Sequence, residues 1–98
     1  MVLYEVTLEA EPPLTDRLTE YMRTSHIPGI YRTGCFKNIS FQRASSTRFR
    51  TSYRAVSTGD LERYLTSHAE AFRVDFRAHF PSGVTITRET WTEDTTWG

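Results

Sequence analysis

The sequence lacks an excess of either charge: its 98 residues include 12 Lys and Arg against 12 Asp and Glu. Binding to nucleic acid without sequence preference relies on surplus positive charge, so the composition argues against nucleic-acid partners. No apolar run approaches the roughly 20 residues of a membrane span. The N-terminal segment 1–5 has neither the basic part nor the long apolar part of a signal peptide. We therefore expect no membrane partner.

Cysteine and cofactor motifs are also scarce. The single cysteine, Cys35, cannot form an internal disulfide, which favours a reducing compartment, and we expect the cytoplasm. The sequence contains no Gly-x-Gly-x-x-Gly, no phosphate loop and no Gly-x-Ser-x-Gly, which argues against a nucleotide cofactor. The three histidines do not match a ligand pattern such as His-x3-His. We predict no cofactor and no metal.

Regular alternation of apolar and polar residues is present in four segments. In the first, Val2, Tyr4, Val6 and Leu8 alternate with polar neighbours, which predicts a strand with one apolar face. The same period predicts strands over 35–43, 49–55 and 84–91, and Ala44-Ser45-Ser46 is typical of a hairpin loop.

Two segments have helical spacing instead. Apolar residues from Leu14 to Met22 predict a first helix that reaches His26 and ends at Pro28-Gly29. Ser57, followed by Asp60, is typical of a helix N-terminus. Apolar residues then recur every three or four positions from Leu61, which predicts one long helix to about Phe80.

The order strand, helix, strand, strand, helix, strand predicts an α+β fold, the ferredoxin-like β-α-β-β-α-β sandwich with two helices on one face of an antiparallel sheet. We predict one domain over residues 1–91 and a polar C-terminal tail over 92–98.

The second sheet face is predicted to be uncovered. It carries Glu5 on the first strand and Arg50, Ser52 and Arg54 on the third, so ion pairs on a solvated face are one interpretation. The other is a homodimer through this open sheet face, with Trp91 against the partner, because small domains gain buried surface by pairing.

His26, Tyr64 and His68 are the candidate catalytic residues. His26 and His68 each lie about three turns into their predicted helices, so they could face one cavity and transfer protons there, and Tyr64 lies one turn before His68. The alternatives are a His26 stabilised by the helix macrodipole and a Tyr64–His68 pair that satisfies itself within the core.

Four further residues are candidate ligand contacts. Tyr4 and Tyr53 point from the sheet toward the helices, with rings in the core and hydroxyls at its margin. Tyr31 lies close to His26 in sequence, and Arg88 lies on the last strand. Cys35 has no feature that would activate it and is expected to be a packing residue.

Three segments of the sequence resemble an uncharacterised bacterial domain family, domain of unknown function 4286. They are Leu3–Thr7, His26-Ile27-Pro28 with Thr33–Phe36, and Asp60-Leu61 with Tyr64-Leu65 and His68-Ala69, and the similarity runs to Arg88. That family is similar to the dimeric α+β barrel superfamily, which implies a homodimer. Where such relatives commonly carry an amide on strands one and three, this chain has Glu5 and Ser52.

The superfamily includes cofactor-free monooxygenases and polyketide cyclases. The cyclases place a tyrosine and a histidine in the second helix beside the pocket, and Tyr64 and His68 are similar in kind. Two functions therefore stay open: a dimer that binds a small, partly apolar molecule in the helix–sheet cleft, and a cofactor-independent acid–base enzyme such as a cyclase, isomerase or monooxygenase. A structural homodimer without a ligand is the third.

Overall fold

Four strands and two helical regions follow one another in the predicted order. The computed structural model describes every residue from Met1 to Gly98. The strands are β1 (Val2–Ala10), β2 (Asn38–Arg43), β3 (Arg48–Ala55) and β4 (Val84–Thr92). The helices are α1 (Thr15–Tyr21), α2 (Ile27–Tyr31), α3 (Thr58–Ser67) and α4 (Ala69–His79). The prediction of an α+β, ferredoxin-like fold is confirmed.

The sheet is antiparallel with the strand order β2-β3-β1-β4. Tyr4 lies opposite Tyr53, and both are buried on the side that the helices cover, as the alternation predicted. Because β4 is an edge strand, the helices cover only its start, and the strand is exposed beyond Ile86. This partly uncovered strip of β4 leaves room for an opening beside the helices.

The first helical region is longer than predicted. A 3-10 turn (Pro12–Leu14) leads into α1, and a π-helical turn (Met22–His26) joins α1 to α2. The predicted end at Pro28-Gly29 is wrong, because both residues lie inside α2. Pro28 has no N–H for the carbonyl one turn earlier, and the wider π turn before it accommodates that missing bond. Gly29 is needed for packing, since a Cβ there would lie 2.9 Å from the Phe72 ring.

The second helical region is broken where one long helix was predicted. The chain leaves helical geometry at His68 (φ −128°), which ends α3 and precedes α4. The break lets each segment keep its own apolar side on the sheet, with Tyr64 buried before it and Phe76 after it. The predicted start is confirmed, because the Ser57 side chain accepts a hydrogen bond from the N–H of Asp60 at 3.2 Å.

The segment between α2 and β2 is a turn rather than the start of a strand. Gly34 adopts φ +76°, which favours glycine, and β2 begins at Asn38, three residues later than predicted. Cys35 and Phe36 are nevertheless buried in one of two apolar clusters between helices and sheet. No helix is long and apolar enough to cross a membrane.

Candidate functional site

A cavity of about 60 Å³ lies between the two apolar clusters, on the helix side of the sheet. Its sheet wall is formed by Tyr4, Val6 and Leu8 of β1 together with Ile86 and Arg88 of β4. These positions share a face because alternate residues of a strand point to the same side. The cavity therefore lies over the two strands at the β4 edge, where the helices cover the sheet least.

The helical wall of the cavity is mostly aromatic. Tyr64 of α3 and Phe72 and Phe76 of α4 face the sheet, and Met22 and His26 of the π turn complete the wall. Their rings contact one another, with centroids of Tyr64 and Phe72 6.4 Å apart. An apolar cavity with few polar groups is the usual form of a site for a small organic ligand.

Three arginines line the same cavity. Arg73 and Arg77 lie one turn apart on α4, and Arg88 lies opposite Val6 on β4. Arg73 donates to the Tyr4 hydroxyl at 3.1 Å, and Arg77 donates to the carbonyl of Val84 at 3.4 Å. No carboxylate lines the cavity, and none of the four salt bridges of the protein involves these arginines.

His26 is connected to two groups behind the cavity. Its Nδ1 lies 3.4 Å from the Tyr21 hydroxyl, which donates to Asp75 Oδ2 at 2.6 Å. Burial lowers the pKa of His26 from 6.5 to about 4, and the nearby Asp75 carboxylate opposes this shift only in part. The imidazole is therefore neutral at pH 7. The ring of His79 contacts that of Tyr21 in a tilted arrangement, with centroids 4.4 Å apart.

Two tyrosines of the cavity, Tyr53 and Tyr64, stay protonated. Burial raises the pKa of Tyr53 and of Tyr64 far above the ordinary value, and the positive charges of Arg73 and Arg88 oppose the shift at Tyr64. Their hydroxyls are therefore hydrogen-bond donors at any physiological pH.

The structure brings together five of the seven predicted site residues: Tyr4, His26, Tyr53, Tyr64 and Arg88 line the cavity. His68 lies at the break between α3 and α4 and does not line it. Tyr31 is 53% exposed and lies in a shallow groove against β2, among residues such as Arg23 and Ile39. The expectation that His26 and His68 face one cavity assumed an unbroken second helix.

Sequence reasoning missed Arg73, Arg77 and the Tyr21–Asp75 pair. The two arginines stand next to Phe72 and Phe76 at the four-residue spacing of one helix face. This pattern flanks the apolar stripe and was available in the sequence. Asp75 gave no such signal, because its contact with Tyr21 joins positions 54 residues apart.

Neither Cys35 nor the acidic residues form a metal site. Cys35 is buried within the core, where its expected packing role fits, and no group of three or more His, Cys, Asp or Glu side chains could hold an ion.

The open sheet face is mostly polar, and its two large apolar side chains are Leu3 and Trp91, which lie opposite each other on β1 and β4. Ser52 donates to the Glu5 carboxylate, and Glu5 lies near Arg48 and Arg50 on the same face. Arg54 pairs with Glu93 at 2.8 Å, and Arg50 donates to Gln42 at 2.7 Å. Trp91 is 58% exposed beside this network.

A family model described as "Domain of unknown function (DUF4286)" matches residues 1–93. No curated protein matches the sequence significantly. Several solved structures share the fold at low sequence identity. They have the α+β barrel fold of the antibiotic biosynthesis monooxygenases.

Three of these structures illustrate the likeness. An ethyl tert-butyl ether d (ethd) family protein from Bacillus halodurans has a TM-score of 0.71 and 14% identity, over 96% of this chain and 100% of that one. SnoaB, a cofactor-independent oxygenase from Streptomyces nogalater, has a TM-score of 0.69 and 13% identity, over 97% and 94%. A protein of unknown function from Nitrosomonas europaea has a TM-score of 0.68 and 14% identity, over 99% and 94%. At such identities the likeness is one of fold.

Proposed function

This chain belongs to the family of domain of unknown function DUF4286, and we propose that it binds a small, partly apolar molecule in the cavity between its helices and its sheet. The observation that carries the proposal is the composition of the lining, in which 9 of 13 residues are hydrophobic and the other four are His26 and the three arginines. Such a lining favours a ligand with an apolar body and a polar end.

The cavity is small for this role as it stands. Its volume of about 60 Å³ holds little more than a few waters or part of one ring. The side chains of Arg73, Arg77 and Arg88 are exposed, so they can move aside for an occupant without loss of core packing. We therefore expect ligands of about one aromatic ring, admitted beside β4.

Titration with benzyl alcohol, followed by two-dimensional amide NMR, tests the proposal. We expect saturable shifts at residues around the cavity, such as Val6, Phe72 and Ile86. Ile86→Trp should abolish them by filling the cavity, whereas the control Val74→Trp, at an exposed position of α4, should leave them unchanged. Shifts spread over the surface, or shifts that persist in Ile86→Trp, would contradict binding in the cavity.

We also propose that two copies of the chain pair through their open sheet faces. Both charges occur on this face, with Glu5 and Glu89 near Arg48 and Arg50, so it can complement a copy of itself. Trp91 supplies an exposed aromatic side chain of the kind that anchors interfaces. Sedimentation equilibrium at micromolar concentration should give twice the 11.4 kDa of one chain, and a single 11.4 kDa species would contradict pairing.

A second candidate function is a cofactor-independent acid–base enzyme. His26 supports it, because the imidazole lines the cavity and burial keeps it neutral and able to accept a proton. A pKa of about 4 makes this base weak at neutral pH, which is why ligand binding is the preferred proposal. In this function His26 would be the base and Tyr64 the acid, and His68 would act only if α3 and α4 move.

Hydrogen–deuterium exchange at the α-carbon of phenylacetone, a ketone with one aromatic ring, in D2O tests the enzyme hypothesis, since it reports proton abstraction directly. We expect acceleration by the protein that is lost in His26→Gln and kept in His68→Gln, because only His26 lines the cavity. Exchange at the same rate with and without the protein would exclude this role for the compound class.

We place the protein in the cytoplasm. The support is the single Cys35, which is free and buried and needs no oxidising compartment. Cell fractionation of the producing organism tests this, and recovery in a secreted fraction would contradict it.

A further inference from the structure

The charged residues around the cavity are of one sign. Its lining contains Arg73, Arg77 and Arg88 and no aspartate or glutamate, although the chain as a whole has equal numbers of acidic and basic residues. If acidic and basic residues were evenly mixed at the cavity, carboxylates would lie among the three arginines. On the open sheet face they do so, since Glu5 and Glu89 lie near Arg48 and Arg50. Arg73, Arg77 and Arg88 are exposed, and we call the solvent-facing side of the cavity that they form its mouth. This mouth is therefore a local region of positive potential on a neutral protein.

The three guanidinium groups come from opposite walls. Arg73 and Arg77 project from α4, while Arg88 projects from the edge strand β4. Arg73 donates one N–H to the Tyr4 hydroxyl, and Arg77 donates one to the backbone carbonyl of Val84 at 3.4 Å. Because each guanidinium has five N–H groups in a fork that fits a carboxylate, most of this donor capacity is unused.

We propose that the ligand of the cavity is an anion, with an apolar body between β1 and α4 and a carboxylate or similar oxyanion held at the mouth by Arg73, Arg77 and Arg88. The inference rests on the proposed binding function and specifies the chemical class of the ligand. The phenol of Tyr4, already held by Arg73, adds a further polar group beside the oxyanion.

Neutral His26 lies in the same lining but carries no charge at pH 7, so it does not compete with the arginines for the anion. Because the Tyr21 hydroxyl gives its only proton to Asp75, Nδ1 of the neutral imidazole donates to the Tyr21 oxygen, and the other ring nitrogen can only accept a hydrogen bond. Positive charge at the mouth, aromatic rings inside and no buried acid together fit an aryl or alkyl carboxylate.

A matched pair of probes tests the inference: benzoate, which carries the charge, and benzyl alcohol, which has the same ring without it. Each is titrated at pH 7 and followed by amide NMR. We expect benzoate to bind roughly fivefold more tightly, since exposed charge pairs are individually weak and three act together. Raising the salt concentration should remove most of that advantage and leave the affinity for benzyl alcohol unchanged.

Variants locate the effect. Arg88→Gln and Arg73→Gln should each lower the affinity for benzoate about twofold or more, and by a larger factor than they change the affinity for benzyl alcohol. Arg63→Gln is the control, because it removes the same charge from α3, where Arg63 pairs with Asp60 and does not line the cavity. It should leave the affinities for both probes unchanged.

The possible results distinguish a failure of the anion preference from a failure of the proposed binding function. If benzyl alcohol and benzoate bind in the cavity with equal affinity, the anion preference is wrong and the binding function stands. If neither probe shifts the resonances of the cavity, both fail. If Arg63→Gln weakens benzoate as much as Arg88→Gln does, the effect is one of overall charge, and the site at the mouth is wrong.

Discussion

Arginines stand in opposite surroundings on the two sides of the sheet. On the open face Arg54 is paired with Glu93, and Arg50 donates to Gln42. On the helix side, Arg73 and Arg88 line an apolar cavity that contains no carboxylate. The open face satisfies its own charges and suits a copy of itself, whereas the cavity has positive charge left for a ligand. One residue type therefore supports two different proposals according to its neighbours.

The largest expected effect is the loss of pairing between two chains through the open face. Trp91→Glu should raise the dimer dissociation constant by at least about 100-fold, because an exposed tryptophan is typically an interface anchor and the symmetric dimer loses it twice. Sedimentation equilibrium measures the change. Trp97→Glu is the control, since Trp97 lies beyond β4 and is 85% exposed. Equal effects of both variants would mean that Trp91 is not an anchor.

The next effect concerns the cavity side and is a dependence of stability on pH. The folded protein keeps His26 neutral down to a pKa of about 4, while the unfolded chain takes up the proton near 6.5. The unfolded state thus binds more protons in this window, so the free energy of unfolding falls as pH decreases. The contribution of His26 between pH 7 and pH 4 is about 3 kcal/mol.

Urea denaturation at several pH values measures this dependence. His26→Gln should remove most of the slope between pH 6.5 and pH 4, and His68→Gln should keep it because His26 is intact. Asp75, Tyr21 and His79 surround the site, so the variants must be compared at each pH rather than extrapolated. An unchanged slope in His26→Gln would show that the imidazole is not held neutral in the folded protein.

A smaller effect tests the support behind the cavity. Tyr21→Phe removes the hydrogen bond to Asp75 and should lower the free energy of unfolding by about 1 kcal/mol, since Asp75 is half exposed and water replaces its partner. Tyr31→Phe removes an equivalent hydroxyl from an exposed ring and should change stability little. Equal losses would mean that the Tyr21–Asp75 bond contributes nothing specific.

The smallest effect compares the two kinds of arginine directly. Arg54→Gln breaks an ion pair and should lower the free energy of unfolding by up to about 1 kcal/mol. Arg88→Gln should cause no loss, because no salt bridge of the protein involves Arg88 and its neighbours at the cavity are also positive. Urea denaturation of both variants measures these changes. A larger loss of stability in Arg88→Gln than in Arg54→Gln would show that Arg88 has a structural role.

Alternation along the strands was sufficient to predict the sheet and its two faces, because burial of one face dictates a period of two. The same reasoning placed Tyr4 and Tyr53 on the helix side. It failed where hydrogen bonding within a helix departs from the regular pattern. The π turn before Pro28 and the break at His68 have no strong local signal, and both change which side chains reach the cavity.

Partners distant in sequence were the other limit. Tyr4 and Arg73 are 69 residues apart, and their hydrogen bond follows from how α4 lies on the sheet. Periodicity gives the face of a residue on its own element but not the side chain that it meets across the core. The sequence therefore predicted a pocket with histidine and tyrosine, and the cluster of arginines emerged from the structure.

The most direct test of the central claim is a crystal structure of the protein grown with saturating benzoate. We expect the benzoate ring to lie in the cavity, against Val6 and Phe72, with its carboxylate within hydrogen-bond distance of Arg73 or Arg88. Benzoate bound instead to Arg48 or Arg50 on the open face, or an empty cavity at saturation, would contradict it.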